Sequence, residues 1–430
     1  MRMNIQLSDE QKRIFNRVAD ASFYADQELM HSTFKRMREE APICWLEPDN
    51  YRPFWAVTRY DDMKEVLRNS EVFLNAPRRQ LFNIPTEQGM IERSGNEYGL
   101  ALRTLTDMDE PDHSAYRNVT KDWFSQKSVG ELESEVRTIA VEFAEKMVAM
   151  GGECDFVNDI ALWYPLRVIM SVMGVPREDE ERMLKWTMEL FGFEDADLSR
   201  DKGESDAAGA KSAQATLNDF FAYFAAITKD RQESPRDDLC SLLANARIDD
   251  KLMPTLELMS YYVIVATAGH DTTSSSTSAG MLALIKNPDE LEKLKSGDDH
   301  TLSFVNETIR HASPVRHFCR TASQDYNLNG VEIKQGESVV VFHPSANNDE
   351  SLFECPHQFQ IERRRNWHMA FGYGIHVCIG QHLARLEIGM LFEEILKRVD
   401  NIQLAGEPKW ASNLFIGGLK SLPITYDIKS

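Results

Sequence analysis

The residues best placed to do chemistry lie in one run: Phe371-Gly372-Tyr373-Gly374-Ile375-His376-Val377-Cys378-Ile379-Gly380. A helix pattern follows at once, with Leu383, Leu386, Met390, Leu391 and Ile395 on one face. Cys378 is therefore expected at or just before a helix N-terminus. Free N–H groups and the positive end of the dipole favour a thiolate there. Gly372, Gly374 and Gly380 let backbone pack tightly and let a flat ligand approach with no Cβ in its way. A thiolate in that setting would donate strongly to iron and favour O–O cleavage. Two simpler readings compete. Cys378 could be a buried structural thiol whose glycines serve turns. Alternatively, Cys355, His357, His376 and Cys378 could form a Cys₂His₂ zinc site.

The run resembles the haem-binding segment of the cytochrome P450 family, Phe-Gly-x-Gly-x-His/Arg-x-Cys-x-Gly, at every fixed position. The resemblance implies haem b with Cys378 as the iron ligand, Phe371 and Gly380 beside it, and a long helix over the opposite haem face. Other segments resemble the family too. Glu307-Thr308-Ile309-Arg310 matches its Glu-x-x-Arg element, and Arg363 stands where a second arginine completes a buried ionic network. His113 and Arg117 resemble its His-x-x-x-Arg, and with Arg320 and His376 they are the implied partners of the two haem propionates. Pro344-Ser345-Ala346-Asn347-Asn348-Asp349 departs from the pattern, with Asn348 where arginine is usual. That change should touch local packing and not chemistry.

The opposite face would be supplied by Met253 to Asn287, which reads as one long helix ended by Pro288. Its middle, Ala266-Thr267-Ala268-Gly269-His270-Asp271-Thr272-Thr273-Ser274-Ser275-Ser276, is rich in small hydroxyl residues that make poor helix. This predicts a local distortion at a functional site. Ala268 and Gly269 would leave room for dioxygen and substrate. Asp271-Thr272 resembles the family's acid–alcohol pair, which delivers protons for O–O cleavage. His270 either lines the pocket or faces a neighbouring helix, and the sequence assigns it no role.

The elements that must hold these residues are mainly helical. Glu131 to Met150 has helical spacing and stops at Gly151-Gly152. Phe54 to Thr58 is a strand candidate, and Val331–Ile333 with Ser338–Phe342 reads as a hairpin. No linker divides the chain, so 1–430 is expected to be one mainly α domain with a small β portion, of cytochrome P450 fold. Its 430 residues, 42% of them hydrophobic, suffice for a large core. With 48 basic and 68 acidic residues the net charge is −20, which repels phosphate backbones and argues against nucleic acid. No apolar run is long enough to span a bilayer, and the polar start carries no leader pattern, so a cytoplasmic protein is expected. The cysteines other than Cys378 are scattered and read as buried thiols.

The resemblance implies a monooxygenase that takes O2 and a hydrophobic substrate. Around Thr267–Ser276 and Gly380–Arg385 the wording is similar to soluble bacterial members that hydroxylate terpineol, linalool or alkylaromatics. The implied pocket runs through about 81–102, 188–193, 263–268, 315–318 and 414–416, with Phe415 and Ile416 as candidate contacts. No flavin or nicotinamide fingerprint is visible, so electrons should come from a ferredoxin with an NAD(P)H-dependent reductase, docking near Arg364, Arg365 and Lys121. Peroxide-dependent oxygenation and a non-enzymatic haem sensor are the competing readings.

Overall fold

The computed structural model describes residues 7–94, 102–191, 206–296 and 300–429. Seven helices matter for the site: α1 (Asp112–Thr120), α2 (Glu133–Ala149), α3 (Trp163–Met173), α4 (Glu180–Phe191), α5 (Thr255–Lys286), α6 (Thr301–Ala312) and α7 (Gln381–Arg398). As the periodicity predicts, α2 buries Val136, Ile139, Ala140, Phe143 and Met147. It ends where Gly151 and Gly152 take positive φ. Helix α2 packs along α7, and α5 runs through the middle, against α3 on one side and α6 on the other.

Two glycines set these approaches. A Cβ on Gly269 would lie 2.8 Å from Ile169 Cγ1 of α3, and one on Gly280 would lie 2.8 Å from Thr308 Cγ2 of α6. Either would force the helices apart. The expected distortion of α5 is not found: all 32 residues are α-helical. Its hydroxyls fold back instead. Thr267 Oγ1 donates to the Val263 carbonyl (2.7 Å), and Ser276 and Ser278 do the same one turn back (2.9 Å each). Satisfying the hydroxyls inside the helix removes the competition that would have broken it.

The β portion is a sheet of β1 (Ile43–Leu46), β2 (Phe54–Val57), β3 (Phe73–Leu74), β4 (His317–Ala322) and β7 (Ser338–Phe342), in the order β1-β2-β7-β4-β3. Strands β5 (Tyr326–Leu328) and β6 (Val331–Ile333) pair separately. The hairpin expected between β6 and β7 is therefore wrong in pairing, though both strands exist. β7 carries four consecutive buried residues, Val339 to Phe342, and so takes a central place between β2 and β4.

His317 on β4 yields a pH prediction. Its ring is fully buried, and its Nε2 accepts from the Leu81 amide (2.9 Å), which requires neutral imidazole. Burial pushes it down to about 3. Its stabilising contribution is whole above the unfolded value near 6.5 and is lost as pH falls toward 3. Denaturant titrations should show His317 alone removing about 1.4 kcal/mol per pH unit below about pH 6. His317→Gln should flatten the slope by one proton; an unchanged slope would refute the assignment.

Candidate functional site

A cavity of about 240 Å³ opens between α5 and the run before α7. One wall is Phe371 to Gly380. Gly372 and Gly374 both have φ of 75°, and a Cβ on Gly374 would lie 2.6 Å from the Leu67 carbonyl, so the loop can pass that close only with glycine. The Cys378 amide donates to the Phe371 carbonyl (2.8 Å), which closes the loop. Among the described residues, Cys378 is the one cysteine lining the cavity. Its accessible surface faces the cavity while protein surrounds it on the other sides. Burial therefore raises its pKa, opposed by the Gly380 N–H and the charges of Arg117 and Arg385.

Cations gather at one end. Arg117 Nη2 donates to the Val377 carbonyl (2.7 Å), and Arg320 Nη1 donates to the Cys319 carbonyl (2.8 Å). Among the described residues neither has a carboxylate partner. Burial lowers the pKa of both, that of Arg320 to about 10. The His113 and His376 rings lie 3.9 Å apart, and burial pushes His376 down to about 2. His113 Nε2 is buried without a hydrogen-bond partner. Buried cations without counterions are costly, so this end is built to receive anions.

The opposite wall is α5, through Ile264, Val265, Ala268, Gly269, Thr272, Thr273 and Ser276. Thr272 Oγ1 donates to the Ala268 carbonyl (2.9 Å), which leaves its lone pairs as acceptors. Asp271 does not line the cavity: its Oδ1 lies 3.1 Å from His270 Nδ1, and its Oδ2 is buried without a partner. The space left by Gly269 was expected to serve dioxygen and substrate. Gly269 does lie in the cavity wall, and its missing Cβ also admits the approach of Ile169.

Of the expected pocket segments, Ile264, Val265, Ala268, Val315 and Phe318 line the cavity. Phe415 and Ile416 do not. Phe415 packs behind Phe318 at 5.5 Å, and Ile416 bridges Val315 through backbone. Residues 95–101 and 192–193 of the expected pocket lie outside the described residues. Cys44, Cys154, Cys240 and Cys319 are buried as expected, but Cys355 is exposed. Among the described residues no three His, Cys, Asp or Glu side chains converge as metal ligands, which removes the zinc reading.

Two residues were missed. Arg385, on α7 and seven residues after Cys378, lies over the Phe371 ring at 4.5 Å. Glu387 lines the cavity, fully buried, with an unpartnered Oε2. Burial holds its pKa well above the ordinary range, against a hydrogen bond from Thr273. A signal existed: Glu387 falls four after Leu383 and four before Leu391, on the apolar face of α7.

The family model for cytochrome P450 matches residues 18–412. The chain belongs to the cytochrome P450 family. It is 37% identical to cytochrome P450-terp of a Pseudomonas species, covering 94% of this chain and 95% of that protein. It is 32% identical to a methyl-branched lipid omega-hydroxylase of Mycobacterium tuberculosis, covering 93% and 92%. The structure superposes on CYP108D1 from Novosphingobium aromaticivorans with a TM-score of 0.90, at 35% identity over 97% of this chain and 99% of that one. CYP268A2 of Mycobacterium marinum, solved with pseudoionone, gives 0.86 at 30% identity over 94% and 97%. This P450 is thus a monooxygenase with haem b as its cofactor. The residues present fit that group: a cavity-facing thiol, two arginines without counterions, and Gly380, where an added Cβ meets no protein atom within 4 Å.

Proposed function

We propose that this P450 hydroxylates an apolar small molecule of terpenoid or alkylaromatic type, the whole chain acting as one cytoplasmic unit. Cys378 is the iron ligand. Arg117, Arg320, His113 and His376 receive the propionates, and Phe371, Gly380 and Ala268 border the porphyrin. When bound, haem supplies electron uptake and dioxygen activation. The carrying observation is the arrangement of the cavity, with one thiol on one wall, hydroxyl-bearing Thr272 on the opposite wall, and apolar side chains between. Leu105, Phe124, Ile169, Ile264, Val265 and Phe318 exclude water and favour an apolar ligand. The names of P450-terp and of the pseudoionone complex support that class. Thr272, with Asp271 beside it, favours proton-dependent oxygen chemistry over direct use of peroxide.

The test is metal analysis with an optical spectrum of the reduced, carbon-monoxide-bound protein. Native protein should show the red-shifted thiolate band, and Cys378→Ser should lack it. A native spectrum without that band would remove the assignment of Cys378. Titration with monoterpene alcohols, alkylaromatics, steroids and fatty acids should give a spin-state shift with the first two. A shift with steroids or fatty acids alone would overturn the substrate class.

Electrons come from a ferredoxin with an NAD(P)H-dependent reductase, docking on the Cys378 side. Arg68, Arg364, Arg365 and Lys121 are exposed, and so are Trp367 (63%) and Ile375 (37%). Arg365 lies over the Trp367 ring at 5.7 Å, and exposed cations beside apolar surface suit a small acidic carrier despite the net charge of −20. Arg364→Glu with Arg365→Glu should slow electron delivery about tenfold at low salt, with substrate binding unchanged. Equal transfer rates in stopped flow would exclude this face.

A further inference from the structure

His270 is fully buried and turned away from the cavity. Its Nε2 lies 2.7 Å from the carbonyl oxygen of Leu162, just before α3. A carbonyl only accepts, so Nε2 carries a hydrogen. The other ring nitrogen, Nδ1, faces two oxygens: Asp271 Oδ1 at 3.1 Å and Thr187 Oγ1 of α4 at 3.3 Å. The Thr187 hydroxyl proton is already given to the Leu184 carbonyl (2.9 Å). A proton on Nδ1 would place positive charge 3.1 Å from ionised Asp271 in a buried site. This contact suits one more proton, on Nδ1 or on Oδ1. Among the described residues the partners of the ring are Leu162, Thr187 and Asp271, of which only Asp271 is charged; the buried acid of α4, Glu189, is engaged by Thr216 (2.7 Å).

We propose that His270 and Asp271 form a proton-storing pair behind the cavity wall, with His270 as the positioning residue that keeps Asp271 loaded. The inference rests on the reading of Asp271 as proton donor in oxygen chemistry. One proton leaves the pair toward Thr272 and the cavity, leaving neutral imidazole and carboxylate. The charge attraction that held Asp271 at the ring is then gone. Asp271 is 14% exposed, and one proton from solvent restores the pair.

Uniformly 15N-histidine-labelled holoenzyme, in the diamagnetic reduced carbon-monoxide form, gives the first test. His270, assigned by the signal lost in His270→Gln, should show a protonated Nε2 and an Nδ1 either protonated or strongly hydrogen-bonded. Asp271→Asn should shift that Nδ1 signal. An unprotonated Nε2, or an Nδ1 indifferent to Asp271→Asn, would overturn the pair even if His270→Gln folds poorly. Product per electron gives the second. His270→Gln should lose about tenfold near pH 8 and less near pH 6, with a larger solvent isotope effect. A uniform loss across pH would mark a merely structural role. If Asp271→Asn is impaired while His270→Gln matches wild type, the pair fails and the acid reading stands. If Asp271→Asn is itself unimpaired, the acid reading fails, and the pair with it.

Discussion

Glu307→Ala should lower unfolding free energy by about 3–5 kcal/mol and yield protein that retains little haem. Glu307 and Arg310 are fully buried, and the Arg363 side chain is 5% exposed. The carboxylate accepts from Arg310 Nε and Nη2 (2.8 Å each), Arg363 Nε (3.1 Å), Asn366 Nδ2 (3.0 Å) and the Gln360 amide (3.0 Å). Burial pushes the Glu307 carboxyl up, but the bonds and charges of Arg310 and Arg363 outweigh it and hold the group below its ordinary range. Removing the carboxylate leaves two guanidinium groups without an anion. The damage then travels. Arg310 Nη1 holds the carbonyls of Asn347 (2.8 Å) and Pro356 (2.9 Å), and Asn347 Oδ1 accepts from the Met369 amide (2.7 Å), two residues before Phe371. The network therefore anchors the start of the cysteine loop. Denaturant titration and the haem-to-protein ratio check the prediction. A variant within about 1 kcal/mol of wild type, the level of an exposed pair, would show the network to be dispensable.

Thr272→Ala should cut product formed per electron by about 100-fold, roughly 2.7 kcal/mol of lost discrimination, while stability changes by about 1 kcal/mol or less. In the fold, the Thr272 hydroxyl gives its proton to the Ala268 carbonyl (2.9 Å) and turns its lone pairs toward the cavity. It can accept a hydrogen bond from a protonated oxygen or a water held between the walls, and so keep a proton path in place. Alanine keeps the helix and loses the acceptor. Electrons would then leave as peroxide rather than product. Thr272→Ser should restore most of the coupling, because the oxygen is kept. Full coupling in the alanine variant would favour direct use of peroxide and discard the role of Thr272.

The two predictions differ in how far the sequence foresaw them. Glu307, Arg310 and Arg363 are ordinary surface residues by type, and only their match to a family pattern singled them out. Their energetic weight comes from burial, which no local spacing reports. Asn348, the departure from that pattern, turns its amide back to the Pro344 carbonyl (2.9 Å). Arg38 comes in beside it, donating to Ser345 and pairing with Glu350 (3.0 Å). A cation thus reaches that corner from a helix some 300 positions away in sequence, over a separation that a local motif does not contain.

Sequence by itself determined which residue types this P450 offers for chemistry: a thiol framed by glycines before a helix, a hydroxyl-rich stretch on a long helix, and a set of cations. Those are matters of residue type and short spacing, set by backbone freedom at glycine and by helical period. Tertiary structure decided the rest. It kept α5 unbroken by satisfying its hydroxyls internally, brought Ile169 against the missing Cβ of Gly269, and set Phe415 behind Phe318 instead of in the cavity. It buried Glu387 beside the cysteine loop and turned Asp271 toward His270. Each of these depends on which surfaces meet across the core, and packing between distant segments has no period that a single chain can display.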